Sequence, residues 1–209
     1  MSPTVTIIDY GVGNVGSVAN MLKRAGVESL LSGDPDVVST SKKLILPGVG
    51  AFDRAASILR ESGLKDAVLA ATDRGSHVMG VCLGMQLLLD GSDEGGGVEA
   101  GLGLIPGRVR RFPAEVEHAG LKVPHMGWNV VRKVGSSRIL PTLADGERFY
   151  FVHSFFAEPA ESSHRLALTR HGIEFPSMIA RENVVGAQFH PEKSRHAGMA
   201  LLTGFALQE

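Results

Sequence analysis

The run Thr4-Val5-Thr6-Ile7-Ile8-Asp9, continued by Tyr10-Gly11-Val12-Gly13-Asn14-Val15-Gly16-Ser17-Val18-Ala19-Asn20-Met21-Leu22-Lys23-Arg24-Ala25, decides how the rest of the chain is read. Its first six residues form a short apolar run rich in β-branched residues and are followed by the glycines at 11, 13 and 16, the pattern of a short buried strand. From Asn14 onward, Val15, Val18, Ala19 and Leu22 recur at i, i+3, i+4 and i+7, which predicts a helix with Asn14 as its N-cap. The same unit repeats downstream. Strands are expected at 27–31, 43–46 and 77–81, and helices at 52–60 and 64–74. Strands alternating with helices require right-handed crossovers, so the first half is an α/β layer with a mainly parallel sheet covered on both faces.

After Asp90 the texture changes. A glycine-rich loop at 95–103 leads into extended segments at 108–112, 129–134, 148–153, 165–170, 178–181 and 184–189, and a closing helix spans about 195–206. These segments predict antiparallel additions to the sheet. No repeat, linker or shift in composition divides the chain, so residues 1–209 are expected to form one domain. With 209 residues, 44% of them apolar, the chain can bury one substantial core.

The net charge of −1 provides no overall positive field for nucleic acid or an anionic membrane. No apolar run approaches the roughly 18 residues that span a bilayer, and the first residues lack a signal-peptide pattern, so a cytoplasmic protein is expected. Cys82 is the only cysteine and cannot close an internal disulfide.

That thiol stands in Gly80-Val81-Cys82-Leu83-Gly84, the small-x-nucleophile-x-small pattern of an elbow between strand and helix. Such a sulfur projects from the carboxyl end of a sheet at a helix amino end, where the dipole favours thiolate. A small buried hydrophobe is the competing reading of the same residue. A second group is Gln188-Phe189-His190-Pro191-Glu192. In extended backbone i and i+2 point the same way, so Glu192 can orient the His190 ring and make it a general base and acid. A histidine in a surface turn is the alternative. An oxyanion needs donors: the Leu83 amide follows the nucleophile, and Pro47-Gly48-Val49-Gly50 ends a neighbouring strand with glycines that let backbone approach a carbonyl.

Gly11-Val12-Gly13-Asn14-Val15-Gly16 is a literal G-x-G-x-x-G between strand and helix, with Asp34 or Asp36 at a tolerable distance for a ribose, so a dinucleotide site competes here with a surface for another protein. The eight histidines lack paired-cysteine or His-Glu-x-x-His spacing, so no metal site is expected, and no cofactor. Trp128, the only tryptophan, and the aromatic-dense 150–156 segment suit a core or an interface.

These elements together resemble the triad-class, or class I, glutamine amidotransferases, and among them the glutaminase subunits of imidazole glycerol phosphate synthases. The likeness runs nearly end to end. It is carried by Ile7 through Asn14, Pro47-Gly48-Val49-Gly50-Ala51-Phe52, Gly80 through Gln86, Val123-Pro124-His125-Met126-Gly127-Trp128-Asn129, Tyr150-Phe151-Val152-His153-Ser154 and Gln188 through Ser194. The resemblance implies that Cys82 attacks the side-chain amide of glutamine, that His190 shuttles protons and that Glu192 orients it. It further implies that amides near Val49 and Leu83 serve the oxyanion, and that Gly50, Gln86, His153, Ser154 and Phe155 hold the substrate. Phe155 and Phe156 stand where the family commonly has tyrosine, so no phenolic contact is expected there. By the same resemblance a (β/α)8-barrel cyclase subunit is the partner in a heterodimer, met near Asn14, Trp128, Tyr150 and Lys193, and receives the ammonia. Other readings are the glutaminase of another synthase, such as that for pyridoxal phosphate, and a non-catalytic dinucleotide-binding or scaffold protein.

Overall fold

A computed structural model of the chain describes residues 5–96, 99–138, 140 and 145–208. Strand β1 (Val5–Ile8) is buried at every position, as an unbroken apolar run covered on both faces must be; Thr4 lies outside the described residues. Gly11 and Gly13 turn the chain at positive φ into α1 (Val15–Arg24), and the Asn14 side chain accepts a hydrogen bond from the Ser17 amide at 3.3 Å. Strand β2 is Ser29–Ser32, displaced from the expected 27–31. Val27 instead belongs to the core, its amide donating to the Leu22 carbonyl at the end of α1. Helix α2 (Pro35–Thr40) had no counterpart in the sequence pattern; Asp34 caps it and Pro35 opens it. Then come β3 (Lys43–Gly48), α3 (Phe52–Glu61), α4 (Leu64–Asp73), β4 (His77–Cys82) and α5 (Leu83–Leu87).

The second half contributes β5 (Gly91–Ser92), β6 (Gly107–Arg111), α6 (Ala114–His118), β7 (His125–Lys133), β8 (Glu147–His153), β9 (Phe155–Pro159), β10 (Arg165–His171), β11 (Ile173–Arg181), β12 (Val184–Ala187) and α7 (Arg195–Leu207). Nine strands form one sheet in the order β2-β1-β3-β4-β12-β11-β10-β7-β8. The first five run parallel and the pairings from β12 outward are antiparallel, the mixed pattern expected. The segment expected at 108–112 is not part of it: β6 pairs with β5 and β9 in a separate three-stranded sheet. Within the glycine-rich loop, residues 97 and 98 lie outside the described residues.

Period-2 alternation divides the core between two layers. Along β3, Leu44 and Leu46 face α3 and α4, packing with Phe52, Leu59, Leu64 and Val68, whereas Ile45 joins Ile7, Leu22, Leu202 and Phe205 under α1 and α7. Phe149, Phe151, Phe175 and Phe189 extend that second layer beneath the antiparallel strands. Each fully buried side chain of this kind contributes about 1.5–3 kcal/mol of transfer free energy. Among the described residues no helix is long and apolar enough to cross a membrane.

Candidate active site

Cys82 ends β4 at φ 55, ψ −111, a left-handed conformation that costs a non-glycine residue free energy and turns the chain directly into α5. Both flanking glycines are required by contact. A Cβ on Gly80 would lie 2.5 Å from the Gly84 carbonyl oxygen, and one on Gly84 would lie 1.8 Å from that of Leu46. The expected elbow is therefore present. Sheet register brings the other groups to it: Gly48 of β3 is level with Cys82, and Ala187 of β12 is level with Val81. The Pro47–Gly50 loop and the turn after β12 thus flank the sulfur at the carboxyl ends of adjacent parallel strands, where α/β sheets form their binding crevices.

His190 follows β12 and enters a 3-10 turn, Pro191–Lys193. Strand alternation was expected to put His190 and Glu192 on one side; the turn does so instead, folding the carboxylate back onto the ring. The His190 Nδ1 lies 2.8 Å from Glu192 Oε1, and both side chains are only 3% exposed. Backbone clamps hold the turn against β8. The His190 amide donates to the Tyr150 carbonyl at 2.8 Å, the Tyr150 amide to Ser194 Oγ at 3.0 Å, and Ser194 Oγ to the His190 carbonyl at 2.6 Å.

Burial opposes charge on His190, but the nearby Cys82 sulfur, the hydrogen-bonded Glu192 carboxylate and the negative charge of both outweigh it and carry the imidazole up to about 10. The imidazolium is thereby favoured between a sulfur and a carboxylate. His190 Nε2 and Glu192 Oε2 make no hydrogen bond of ordinary geometry. Burial, with the charge at Cys82 second, pushes the Tyr10 phenol upward, and its hydroxyl donates to the Pro47 carbonyl at 2.8 Å, tying β1 to the glycine loop.

These groups open on a cavity of about 310 Å³ lined by Val49, Gly50, Cys82, Leu83, Gln86, His153, Ser154, Phe155, His190 and Lys193, together with Glu94 and Val152. That volume is at the small end for ligand sites and suits an amino acid. Leu83 is the first residue of α5, so its amide has no partner within the helix. Gln86 is tethered: its Nε2 donates to the Phe155 carbonyl at 3.0 Å and to Gln188 Oε1 at 3.1 Å, while Gln188 Nε2 faces Cys82 Sγ at 3.9 Å.

Three residues here escaped the sequence reading. Glu94, hidden in the glycine-rich loop, puts a carboxylate on the cavity wall, and its Oε2 accepts from the Phe52 amide at the start of α3 at 2.9 Å. Gln188 and Ser194 stood within recognisable motifs but had no assigned role.

Four residues were expected at a partner contact. Trp128 and Tyr150 are cross-strand neighbours with ring centroids 6.1 Å apart, and Lys193 Nζ lies 5.6 Å from the Tyr150 ring. Lys193 also lines the cavity, so it belongs to both places. Asn14 is exposed and caps α1, which packs against the Pro191–Lys193 turn. Of the glycines beside it Gly13 serves close packing, since a Cβ there would come 3.3 Å from the Gly48 nitrogen and from Pro47, whereas a Cβ on Gly11 or Gly16 would meet nothing within 4 Å. Asp34, the candidate ribose ligand, instead accepts from the Asp36 amide as the cap of α2.

A model of the class I glutamine amidotransferases matches residues 6–208, and the chain belongs to that family. Within it, the chain falls among the imidazole glycerol phosphate synthase HisH subunits. It is 46% identical to the subunit HisH of Geobacillus thermodenitrificans over 96% of this chain and 94% of that protein. It is 44% identical to that of Bdellovibrio bacteriovorus over 97% and 98%. Among solved structures, PurLQS from Thermotoga maritima contains a chain with the same fold, at a TM-score of 0.77 and 19% identity over 98% of each chain.

Proposed function

We propose that this protein is the glutaminase subunit of an imidazole glycerol phosphate synthase, with Cys82, His190 and Glu192 as its catalytic residues. The observation that carries the reading is the strained Cys82 at the mouth of an amino-acid-sized cavity, beside an imidazole that its sulfur and a buried carboxylate hold in the charged form. In this reading Cys82 Sγ attacks the carboxamide carbon of glutamine. The oxyanion forms against the Leu83 amide and the loop at Val49, and the imidazolium of His190 gives its proton to the departing ammonia. Water then adds to the thioester with His190 as base, releasing glutamate and the thiolate. Glu192 keeps the ring oriented through Nδ1.

Gly50, Gln86, His153, Ser154 and Phe155 hold the substrate in this account, and Glu94 is placed to attract its ammonium group. Phe155 and Phe156 leave backbone, not phenols, for recognition. One sheet taking strands from both halves supports residues 1–209 as a single domain, and in this reading the protein works in the cytoplasm.

The partner is a (β/α)8-barrel cyclase that consumes the ammonia to form imidazole glycerol phosphate and an aminoimidazole carboxamide ribotide. It docks over Asn14, Trp128, Tyr150 and Lys193; the exposed Met126, Trp128 and Val130 on one face of β7 support this. Sealing matters because ammonia released into neutral water is mostly ammonium and no longer nucleophilic. The test is a titration of glutamine hydrolysis against the purified cyclase, with and without its nucleotide substrate. Hydrolysis is expected to be weak alone and to rise with both. Activation by a different synthase and not by this one would overturn the assignment.

A further inference from the structure

On the inner face of β7, opposite Trp128, lie His125 and Asn129, and His125 is the register partner of His153 on β8. Their hydrogen bonds fix one another. Asn129 Nδ2 donates to the Arg170 carbonyl at 2.9 Å and its Oδ1 accepts from the Val130 amide at 2.8 Å, so its amide has one orientation. The same Nδ2 is 3.1 Å from His125 Nε2, which must therefore accept. His125 Nδ1 then carries the proton and donates to His153 Nε2 at 3.1 Å. His153 Nδ1 in turn donates to the Phe155 carbonyl at 2.7 Å, the carbonyl that also holds Gln86.

We propose that Asn129, His125 and His153 form a one-way hydrogen-bond relay whose end fixes the Phe155 carbonyl and Gln86, so that positioning residues on β7 set the affinity of the cavity for glutamine. With Asn129 as the first donor, the relay works only with both rings neutral, since an imidazolium has no lone pair to accept with. Burial depresses both: His125 to about 4, with the charge of His171 second, and His153 to about 3. The titratable groups facing His125 are His153 from β8 and His171 from β10, whose ring stacks on it at 4.2 Å; Phe151 and Phe175 complete the enclosure. His190 acts on the pair through His153.

The inference rests on the reading that the cavity takes glutamine, and its test separates the two. Ring nitrogen NMR of the wild-type protein at pH 7 should find His125 and His153 both protonated at Nδ1; an Nε2–H form at either ring overturns the relay without any variant. In N129D the half-buried amide donor becomes an acceptor. The new carboxylate calls for a proton on His125 Nε2. At low pH His125 is then an imidazolium and still donates to His153. As pH rises and Nδ1 loses its proton, two lone pairs face each other and the relay breaks.

The ratio of glutamine KM in N129D to that in the wild type should therefore climb roughly 3- to 10-fold between pH 6 and 9, the effect of about one hydrogen bond, with kcat much less altered. A ratio flat with pH overturns the proposal. Alkylation of Cys82 by iodoacetamide provides the control. If glutamine fails to protect the wild-type thiol, the site reading fails; if it protects wild type and N129D at the same concentration at every pH, the relay alone fails.

Discussion

Two histidine sites sit within this molecule at nearly the same depth, one charged and the other neutral. His190, on the parallel side of the sheet, is 3% exposed; His125 and His153, between antiparallel strands, are 4% and 7% exposed. Burial lowers all three, yet His190 stands up near 10 while the other two fall to about 4 and 3. The difference lies in the neighbours. His190 meets a sulfur and a carboxylate, whereas His125 and His153 meet an amide, a carbonyl and other imidazoles. In the proposed reading, one fold uses a charged ring where protons are to be moved and neutral rings where groups are to be held.

The strongest way to break the contrast is to remove what is peculiar to the first site. Cys82→Ala should lose glutamine hydrolysis by about 10⁴-fold or more, and His190→Asn by a similar factor that does not add to it, because the two act as one unit. Glu192→Gln is more informative. It keeps the shape of the turn but deletes the counter-charge, so His190 should drop towards the range of the neutral pair. A loss of roughly 10²- to 10⁴-fold is expected, and the alkaline limb of kcat/KM should move to lower pH. An alkaline limb that stays in place in Glu192→Gln would show that the carboxylate does not sustain the charge on His190.

Much of the first site was legible because its parts are local. Gly80 and Gly84 mark the elbow by their own spacing, and His190 and Glu192 are two residues apart. The alternation of β1, α1, β3, α3 and β4 was legible for the same reason, each element carrying its own period. Helix α2 was not, since six residues are too few to show a stripe. The departure of β6 to a small sheet with β9 depends on pairing across distant sequence, as Arg110 with Phe156, which no local pattern states. In the second site His153 was reached only through the family resemblance, and its pairing with His125 was invisible on the same ground, since the two meet only through the β7–β8 register. Glu94 was obscured by the glycines around it, and Gln188 and Ser194 by the more reactive residues beside them.

The contrast also predicts how stability follows pH, with a smaller effect. His125 and His153 titrate lower in the folded chain than the unfolded value near 6.5, so the unfolded chain binds more protons as pH falls, and stability is lost below about 6.5 on the way to the folded values of about 4 and 3. Each contributes at most about 1.4 kcal/mol per pH unit, and less for His125 to the extent that water reaches it. His190 acts on the other limb. Its stabilisation is full below about 6.5 and is lost as pH climbs towards its folded value of about 10. Chemical denaturation across pH 4–10 should therefore give a dome. His153→Gln, though less stable at neutral pH by roughly 1–3 kcal/mol for the bonds it disturbs, should have a shallower acid limb. An acid limb as steep as the wild type's would assign that limb to other groups.

The smallest expected effect sharpens the comparison within the neutral pair. His171 stacks on His125 at 4.2 Å while its Nε2 donates to the Lys122 carbonyl, and its charge is the second cause, after burial, of the depression of His125. At His153 it ranks below burial and the charge of His125. His171→Gln should therefore raise the titration midpoint of His125 by a fraction of a unit and that of His153 by less, read from ring-proton NMR, while His190 stays where it is. Both rings should remain far below His190, because removing a like charge leaves the burial in place and adds no opposite one. If instead His125 rose to the ordinary value near 6.5, a neighbour's charge and not burial would be what keeps the ring neutral, and the two sites would then differ in the sign of their neighbours alone.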